Sequence, residues 1–453
     1  MQAIIKPHNF TGRIRIPASK SHTIRRLLIA ALTEGVSEIE EPLDSLDARS
    51  CVAVIRALGA DIEERRAVAQ GPNPADETGK KLAGWRVRGI RPGRITAPQG
   101  HLDVGNSGTT LFLALAAAAL GTQPITFTGD EQIRRRSAGP LLTALSGLGI
   151  RVVSAEKGCA PITVQGPWKG GRAALPCPTS QYLSAILLAA PLAPAGAVTE
   201  IDVPLLNERP YIKLTLSYLD AQGIPYRAAQ DFSYFRIPGG ASYKPMNGPV
   251  PGDFSSAAFP GCAALTGGFG PVTLLGLDPQ DPQGDRVIFD MLTQMGAAVN
   301  WEKTEETSRP AWTLTVSRSR PLQARVFDLN AYPDLLPIMA ALASYADGET
   351  ALVNAAHARI KETDRIAVMA QELGKLGVLT KERPDGLIIQ GGPVLGGPVD
   401  GHGDHRVVMA LAAAALGAAG PVEIRGAEAA DVTYPGFLEL LGASVTESSC
   451  ILS

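Results

Sequence analysis

The sequence has no long hydrophobic run and few cysteines. Its most apolar stretch, 111–120, is too short for the ~18 residues that a membrane-spanning helix needs. The five cysteines are scattered and form no CxxC pair, so neither a disulfide framework nor a metal site is indicated. Residues 1–6 lack the apolar segment of a secretory signal peptide. We therefore expect a cytoplasmic protein without a membrane span.

The sequence also has little net charge and few aromatic residues. The net charge is −2 and aromatic residues make up 5% of the chain, which disfavours a nucleic-acid-binding groove. Any anion site must come from local clustering of basic residues. With 453 residues, of which 45% are hydrophobic, the chain is expected to fold into two or more globular domains.

One pattern recurs six times: an apolar residue or glutamine, a glycine and a short strand-like run. The copies lie at 58–62, 148–152, 222–226, 295–299, 376–379 and 441–445. Each glycine follows a helix-like stretch. The residue just after a helix often has a positive φ angle, which costs little only for a residue without a Cβ atom, so we expect each glycine to end a helix. The spacing of roughly 65–90 residues exceeds that of solenoid repeats, so each unit is larger than a helix pair.

A second series precedes these glycines. Six Ala-rich helices are predicted, each opening with a polar cluster; the clusters lie at 19–21, 105–110, 178–181, 253–256, 332–334 and 404–406. The helices are apolar nearly all round, which is typical of buried helices. The second helix of each unit is amphipathic, as in 365–376.

Together the two series predict an α/β fold of six β-α-β-α-β-β units, with sheets outside and a polar-tipped helix inside. Six units suggest two domains of three, joined by the Pro- and Gly-rich segment 245–252. Aligned helix N-termini direct their positive ends at one place. We therefore expect a cleft between the domains that binds a small molecule with several negative charges.

Basic and acidic residues gather near these helix starts. Lys20 and Arg25 lie at the first of them. The triple arginine 134–136 is predicted to open the second helix of unit two, and the run 357–365 is predicted to open that of unit five. Arginine suits forked binding of carboxylate and phosphate groups, and lysine suits point contacts to phosphate. Asp334 and Glu362 stand among these cations, where a carboxylate is expected to have a lowered pKa and to act as a base.

In their order, seven of these segments resemble the 5-enolpyruvylshikimate-3-phosphate synthase family over nearly the whole chain. They lie at 17–25 (P-x-S-K-S-x-x-x-R), 105–110, 179–182, 253–257, 332–334, 359–365 and 404–406. The resemblance implies two inverse α/β-barrel-like domains, 19–251 and 1–18 plus 252–453, with the active site between them. It implies transfer of the enolpyruvyl group of phosphoenolpyruvate to the 5-hydroxyl of shikimate 3-phosphate, through a tetrahedral intermediate. The expected protein is a monomer without metal or organic cofactor.

The resemblance also assigns residues to roles. Shikimate 3-phosphate is expected to contact Lys20, Ser21, Arg25, Thr179, Ser180, Gln181, Asp334 and Lys361. Phosphoenolpyruvate is expected to contact Lys20, Asn106, Gly108, Arg136, Gln181, Arg365 and Arg406. Asp334 takes the proton from the attacking hydroxyl, and Lys20 and Glu362 are the candidates for proton delivery to and removal from the methylene carbon. Because glyphosate mimics phosphoenolpyruvate in sensitive members, it is expected to inhibit this protein at the Gly108 site.

Several positions depart from the family pattern. Phe112 stands where an arginine is frequent, and Ser137 stands where proline is usual; further departures are His357 for asparagine and Val432 near a common phosphate-binding lysine. Glu208 occupies the place of a phosphate-binding serine or threonine, with Arg209 beside it as a possible substitute. These differences indicate a divergent branch that keeps its activity, because the residues assigned to catalysis are present.

Two other functions are alternatives to this interpretation. The sister enzyme, UDP-N-acetylglucosamine enolpyruvyl transferase, carries a loop cysteine, for which Cys159 is the candidate here, but the segments at 19–21 and 179–181 favour shikimate 3-phosphate. A non-catalytic or RNA-end-binding member of the same architecture is the other alternative. The acidic pI near 6.3 and the scarcity of aromatic residues disfavour it.

Overall fold

The computed structural model describes residues 1–68, 79–91, 94–268, 270–303, 312–442 and 444–446. These residues form two compact units. The N-terminal unit comprises the described residues within 20–250, and the C-terminal unit comprises 1–19 with the described residues from 251 onward. In this part of the chain, no helix combines the length and the hydropathy needed to cross a bilayer.

The described residues contain thirteen α-helices. In chain order they are α1 Lys20–Ala31, α2 Leu46–Ala57, α3 Gly108–Ala118, α4 Glu131–Arg135, α5 Gly139–Gly147, α6 Gln181–Ala189, α7 Arg209–Gln222, α8 Phe254–Thr266, α9 Val287–Gln294, α10 Leu336–Ala343, α11 Arg365–Lys375, α12 His405–Ala415 and α13 Phe437–Leu440.

The same residues contain twenty-six strands. They are β1 Gln2–Ile5, β2 Gly12–Arg15, β3 Val36–Glu40, β4 Asp61–Ala67, β5 Lys81–Arg88, β6 His101–Asp103, β7 Ile125–Thr128, β8 Arg151–Ser154, β9 Ile162–Gln165, β10 Gly171–Ala174, β11 Val198–Asp202, β12 Arg227–Ala228, β13 Tyr234–Pro238, β14 Asn247–Pro249, β15 Val272–Leu275, β16 Ala298–Lys303, β17 Trp312–Ser317, β18 Leu322–Gln323, β19 Val326–Asp328, β20 Ala346–Asp347, β21 Glu349–Val353, β22 Leu379–Arg383, β23 Gly386–Gln390, β24 Gly397–Asp400, β25 Val422–Arg425 and β26 Ser444–Thr446.

Each unit contains three four-stranded sheets, counted over the described residues. Those of the N-terminal unit have the orders β14-β3-β5-β4, β6-β7-β9-β8 and β10-β11-β13-β12. Those of the C-terminal unit have the orders β16-β17-β15-β2, β19-β21-β23-β22 and β24-β25-β1-β26. In each of these sheets the pair at one edge is parallel and the other two pairs are antiparallel, as in β6 with β7 and β7 with β9. The predicted α/β class and the six-fold unit are thus present.

Three strands pair with strands that are distant in the sequence. The strand β2 precedes α1 but pairs in parallel with β15 of the C-terminal unit. The strand β14 precedes α8 but pairs in parallel with β3 of the N-terminal unit, so the segment predicted as a linker includes a sheet strand. The strand β1 lies between β25 and β26, and therefore completes the sixth repeat from the other end of the chain.

The predicted central helices form the two cores. Every residue of α8, α10 and α12 is buried, and these three helices pack against one another. In the N-terminal unit α3 packs against α1 and α6, and nearly all residues of α3 and α6 are buried. Because the bodies of these helices are apolar, only the polar residues at their N-terminal ends can bind or react with a polar ligand.

The six predicted helix-ending glycines behave alike. All have positive φ angles, from 69° to 114°, and each lies one or two residues beyond a helix; the residues are Gly59, Gly149, Gly223, Gly296, Gly377 and Gly442. This confirms the prediction, since a side chain at such a φ angle is strained. The next strand begins two to four residues after each of these glycines.

Candidate active site

In the N-terminal unit, the first two turns of α1 present two cations. Lys20 is the first residue of α1, and its Nζ atom lies 3.2 Å from Oδ2 of Asp47 in the first turn of α2. Five residues later Arg25 is 2% exposed. A cation in the first turn opposes the helix dipole, which applies to Lys20, and burial of a charged group is costly, which applies to Arg25, so each residue costs stability at its position. Their placement is therefore better explained by binding than by folding.

Arg25 is held by neutral oxygen atoms. Its Nε donates to Oγ1 of Thr215 at 3.0 Å, Nη2 donates to Oγ of Ser184 at 3.3 Å, and Nη1 donates to the backbone oxygen of Ser21 at 3.2 Å. Burial lowers the pKa of Arg25 to about 10, although the nearby Tyr218 and Tyr211 act in the opposite direction. The guanidinium is nevertheless charged at neutral pH. A buried cation with neutral partners attracts an anionic ligand.

The first turn of α3 lies beside Arg136. A Cβ atom built on Gly108 would come within 2.8 Å of Nη1 of Arg136 and 3.8 Å of Oε1 of Gln181. The structure therefore brings these three predicted residues together. Asn106, just before α3, donates from Nδ2 to Asp130 and Gln132 at 2.7 and 3.0 Å.

The prediction that the triple arginine 134–136 opens the second helix of its repeat was wrong. Arg134 and Arg135 end the short helix α4 and are exposed, whereas the second long helix of the repeat, α5, begins only at Gly139. Arg136 leaves the helix with extended backbone angles, φ −81° and ψ 120°, and its guanidinium points to Gly108. A helix break therefore separates the arginine at the site from its two solvated neighbours, and the sequence run does not reveal that break.

At the start of α6, Thr179 and Ser180 share a carboxylate acceptor. The hydroxyl groups of Thr179 and Ser180 donate to Oε2 of Glu208 at 3.1 and 2.8 Å, and the backbone N–H of Ser180 donates to the same oxygen at 2.9 Å. Glu208 is 2% exposed, whereas Arg209 is exposed. The residue directed at the start of α6 is thus the glutamate, and a phosphate contact by Arg209 stays a prediction.

In the C-terminal unit, Asp334 lies among three cations. Its Oδ1 is 2.8 Å from Nη1 of Arg365 and 3.7 Å from Nζ of Lys361, and its Oδ2 is 3.2 Å from Nη2 of Arg406. Burial by itself would raise the pKa of Asp334, but the charges of Arg406, Lys361 and Arg365 outweigh it and hold the pKa far below its usual range. The carboxyl group is ionised at neutral pH, as the sequence predicts.

Arg365 links Asp334 to two more carboxylates. Its Nε donates to Oδ2 of Asp404 at 2.8 Å, and Nη2 donates to Oε2 of Glu362 at 2.6 Å. The side chain of Arg365 is 1% exposed and that of Asp404 is 0% exposed. Burial opposes the charge of Arg365, but Asp404, Glu362 and Asp334 together raise its pKa above the ordinary value. The five predicted residues of this unit therefore form one network, which consists of Asp334, Lys361, Glu362, Arg365 and Arg406.

Asp285 is a residue of this network that the sequence reasoning missed. It is 2% exposed and hydrogen-bonded to Ser255, whose Oγ accepts from Nη1 of Arg406 at 2.7 Å. Burial and the charge of Asp334 raise the pKa of Asp285 to about 6. The motif at 253–257 drew attention to Ser255, but no signal near Asp285 indicated that it lies behind an arginine of the site.

The raised pKa of Asp285 predicts a pH effect on stability. Because the folded pKa of about 6 exceeds the unfolded value near 4, the stability that this group contributes is fully present below about pH 4 and is lost as the pH rises through about 6. The difference corresponds to roughly 3 kcal/mol. We therefore expect Asp285→Asn to exceed the wild type in free energy of unfolding by up to about 3 kcal/mol at pH 8, and by little at pH 4. Urea titrations at both pH values measure this; an equal difference at both would contradict it.

Among the other departures, Phe112 has a local explanation. Phe112 is 4% exposed and packs edge-on against Tyr182, with ring centroids 5.0 Å apart, so it is a core residue of α3. His357 is also buried. Val432 ends a 3₁₀ segment, Ala427–Val432.

Within the residues that the structure describes, no group of three or more His, Cys, Asp or Glu residues is arranged to hold a metal ion.

Comparisons with known proteins agree on one family. The sequence model of the EPSP synthase (3-phosphoshikimate 1-carboxyvinyltransferase) family matches residues 4–441. The chain is 45% identical over 438 residues to a 3-phosphoshikimate 1-carboxyvinyltransferase of Acetivibrio thermocellus, and 41% identical over 438 residues to one of Ruminiclostridium cellulolyticum; each alignment covers 96% of both chains.

A solved structure gives the same result. The EPSP synthase from Acinetobacter baumannii is similar with a TM-score of 0.79 and 27% identity, over 98% of this chain and 100% of that one. The sequence match spans nearly the full length, and the structural match includes both units. The chain therefore belongs to the EPSP synthase (3-phosphoshikimate 1-carboxyvinyltransferase) family.

Proposed function

We propose that this chain transfers the enolpyruvyl group of phosphoenolpyruvate to the 5-hydroxyl of shikimate 3-phosphate and releases phosphate, using the residues assigned above. The observation that carries the residue assignment is the placement of Asp334 among Arg365, Arg406 and Lys361. Three fixed cations around one carboxylate match a reaction in which an anionic substrate binds beside the base that activates a hydroxyl group.

The N-terminal unit supplies the anion-binding residues at its helix starts. Arg25 is the main cation for the shikimate phosphate, since its buried guanidinium has neutral partners. Ser21, Thr179 and Ser180 are the neutral donors. Gly108, Arg136 and Gln181 form the phosphoenolpyruvate side, where the missing side chain of Gly108 leaves room next to the arginine.

Asp334 becomes a competent base when substrate binds. In the free chain the three cations keep its proton affinity low. Anionic groups of the substrates bound to Arg365, Arg406 and Lys361 cancel part of that positive charge, so the proton affinity of Asp334 rises. The carboxylate then takes the proton of the 5-hydroxyl, and the oxygen attacks the substituted carbon of the enolpyruvyl double bond.

Proton transfer at the methylene carbon falls to Lys20 and Glu362. Lys20 carries the proton needed for delivery and is oriented by Asp47 at 3.2 Å. Glu362 is held by Arg365 at 2.6 Å and is 15% exposed. Delivery of one proton to this carbon forms the tetrahedral intermediate, and removal of a proton from the same carbon expels phosphate. Both residues stay candidates for each step.

Three further statements belong to the proposal. The proposed domain limits are 19–251, and 1–18 with 252–453, each within one residue of the limits of the two compact units. We also propose that the protein is a monomer and that it works in the cytoplasm.

The first test is phosphate release with phosphoenolpyruvate and alternative acceptors. Turnover with shikimate 3-phosphate and none with UDP-N-acetylglucosamine is the expected result. Turnover with the nucleotide sugar alone would favour the sister enzyme and direct attention to Cys159, whose Sγ lies 3.6 Å from the backbone oxygen of Arg135. Folded protein that turns over neither acceptor would favour the non-catalytic alternative.

Gly108→Ala is expected to impair phosphoenolpyruvate binding and to relieve glyphosate inhibition. The added Cβ would meet Nη1 of Arg136 at 2.8 Å, so the arginine must shift. Overpacking of this kind costs roughly 1–3 kcal/mol, which corresponds to an increase of about 5-fold to 150-fold in KM for phosphoenolpyruvate. Glyphosate inhibition constants and both KM values are the measurements. Gly374→Ala is the matched control, because in the described part of the chain no atom beyond its chain neighbours and the backbone of its own helix comes within 4 Å of the added Cβ.

A further inference from the structure

Glu208 lies where three hydrogen-bond donors converge. The hydroxyl groups of Thr179 and Ser180 and the backbone N–H of Ser180 all donate to its Oε2 atom, at distances of 2.8 to 3.1 Å. The residue is 2% exposed, so this carboxylate is buried together with its donors. The arrangement is that of an anion site at the start of α6 in which the anion is part of the protein.

The backbone places the carboxylate there. Glu208 has φ 57° and ψ 40°, a left-handed conformation that non-glycine residues adopt rarely, and α7 begins at the next residue. The preceding loop is fixed to the segment before α6, because the N–H of Asn207 donates to the backbone oxygen of Cys177 at 3.1 Å. The side chain is thus aimed at α6 by the fold and is not a surface group that happens to lie nearby.

Each of these donors can serve one acceptor at a time. A hydroxyl group has a single proton, and in this structure both hydroxyl protons are directed to Glu208. A phosphate oxygen contacting Thr179 and Ser180 needs the same protons. Two anions cannot share them, because their repulsion is strong at a buried position. Binding of a phosphate group therefore requires the carboxylate to leave.

We propose that Glu208 is an internal anion that competes with the phosphate of shikimate 3-phosphate for the donors of α6, and so sets the affinity for this substrate. The inference rests on the proposed function, which places the substrate phosphate at these donors. It makes Glu208 a specificity-determining residue: in the free chain it keeps the hydroxyl groups oriented, and on binding it moves away.

Arg25 explains why the phosphate prevails. Its guanidinium bonds to Ser184 of α6 and to Thr215 of α7, so it lies between the helices that hold the donors and Glu208. Its acceptors are neutral. A phosphate dianion gains more from this cation than a single carboxylate does, because it carries about twice the charge.

The test compares Glu208→Ser and Glu208→Gln with the wild type by titration calorimetry. We expect Glu208→Ser to bind shikimate 3-phosphate at least 10-fold more tightly, and Glu208→Gln to show a smaller gain, because its amide oxygen still accepts but carries no charge. The affinity for phosphoenolpyruvate should change less than 3-fold. Glu63→Gln, an exposed glutamate of the same unit, is the matched control for loss of one charge.

Unchanged or weaker binding of shikimate 3-phosphate by both variants, with thermal unfolding like that of the wild type, would overturn the proposal. If Glu208→Ser does not fold, Glu208→Gln alone decides, since it preserves the shape of the side chain. Inorganic phosphate is a second probe that needs no shikimate ring. Tighter phosphate binding by the variants supports the competition even if the wild type turned over no shikimate 3-phosphate, a result that would defeat only the proposed function.

Discussion

Asp334→Asn is expected to lower kcat by about 10²–10⁴-fold, the usual contribution of a general base. The amide keeps the shape of the side chain and one acceptor oxygen for Arg365, but it cannot take the proton of the attacking hydroxyl. The KM values should change less, because the cations Lys361, Arg365 and Arg406 are still present. Phosphate release at saturating concentrations of both substrates measures the effect.

A control separates this loss from a general effect of charge. Asp347→Asn removes an exposed carboxylate of the same unit, at the end of β20, and should leave kcat within 2-fold of the wild type. If Asp334→Asn retained more than about a tenth of the wild-type kcat, another group would have to be the base. A loss of kcat accompanied by unfolding would show instead that Asp334 is needed for structure.

Arg365→Met is expected to lower the free energy of unfolding by about 3–5 kcal/mol, the largest stability effect that we predict. Arg365 is 1% exposed and compensates Asp404 at 2.8 Å, Glu362 at 2.6 Å and Asp334 at 2.8 Å. Without it, several carboxylates remain in a buried place with fewer cations. Urea denaturation at neutral pH measures the loss, and activity should disappear with it.

A double variant tests the cause of that loss. Adding Asp404→Asn to Arg365→Met removes a buried charge that would otherwise lack its partner, so it should restore part of the stability. Arg325→Met, at an exposed arginine of the same unit, should cost less than about 1 kcal/mol. If the double variant were less stable than Arg365→Met alone, lost packing would be the cause in place of uncompensated charge.

The repeats and the helix starts could be predicted because their signals are local. A glycine at the end of each helix and a polar cluster before each apolar helix act within a few residues, and the six glycines have the positive φ angles that this role requires. Lys20, Asp334 and Arg365 could be assigned because they lie in short segments whose order and spacing suffice to identify the family. For the same reason the α/β class and the repeat unit were predictable.

Contacts between distant segments had to come from the folded chain. Parallel pairing of β2 with β15 and of β14 with β3 joins residues more than two hundred positions apart. Asp285 reaches Arg406 through Ser255, and Glu208 reaches Thr179 and Ser180. Nothing in the sequence around Asp285 or Glu208 marks these partners, because burial and neighbouring charge, which decide what a carboxylate does, depend on how separate elements pack.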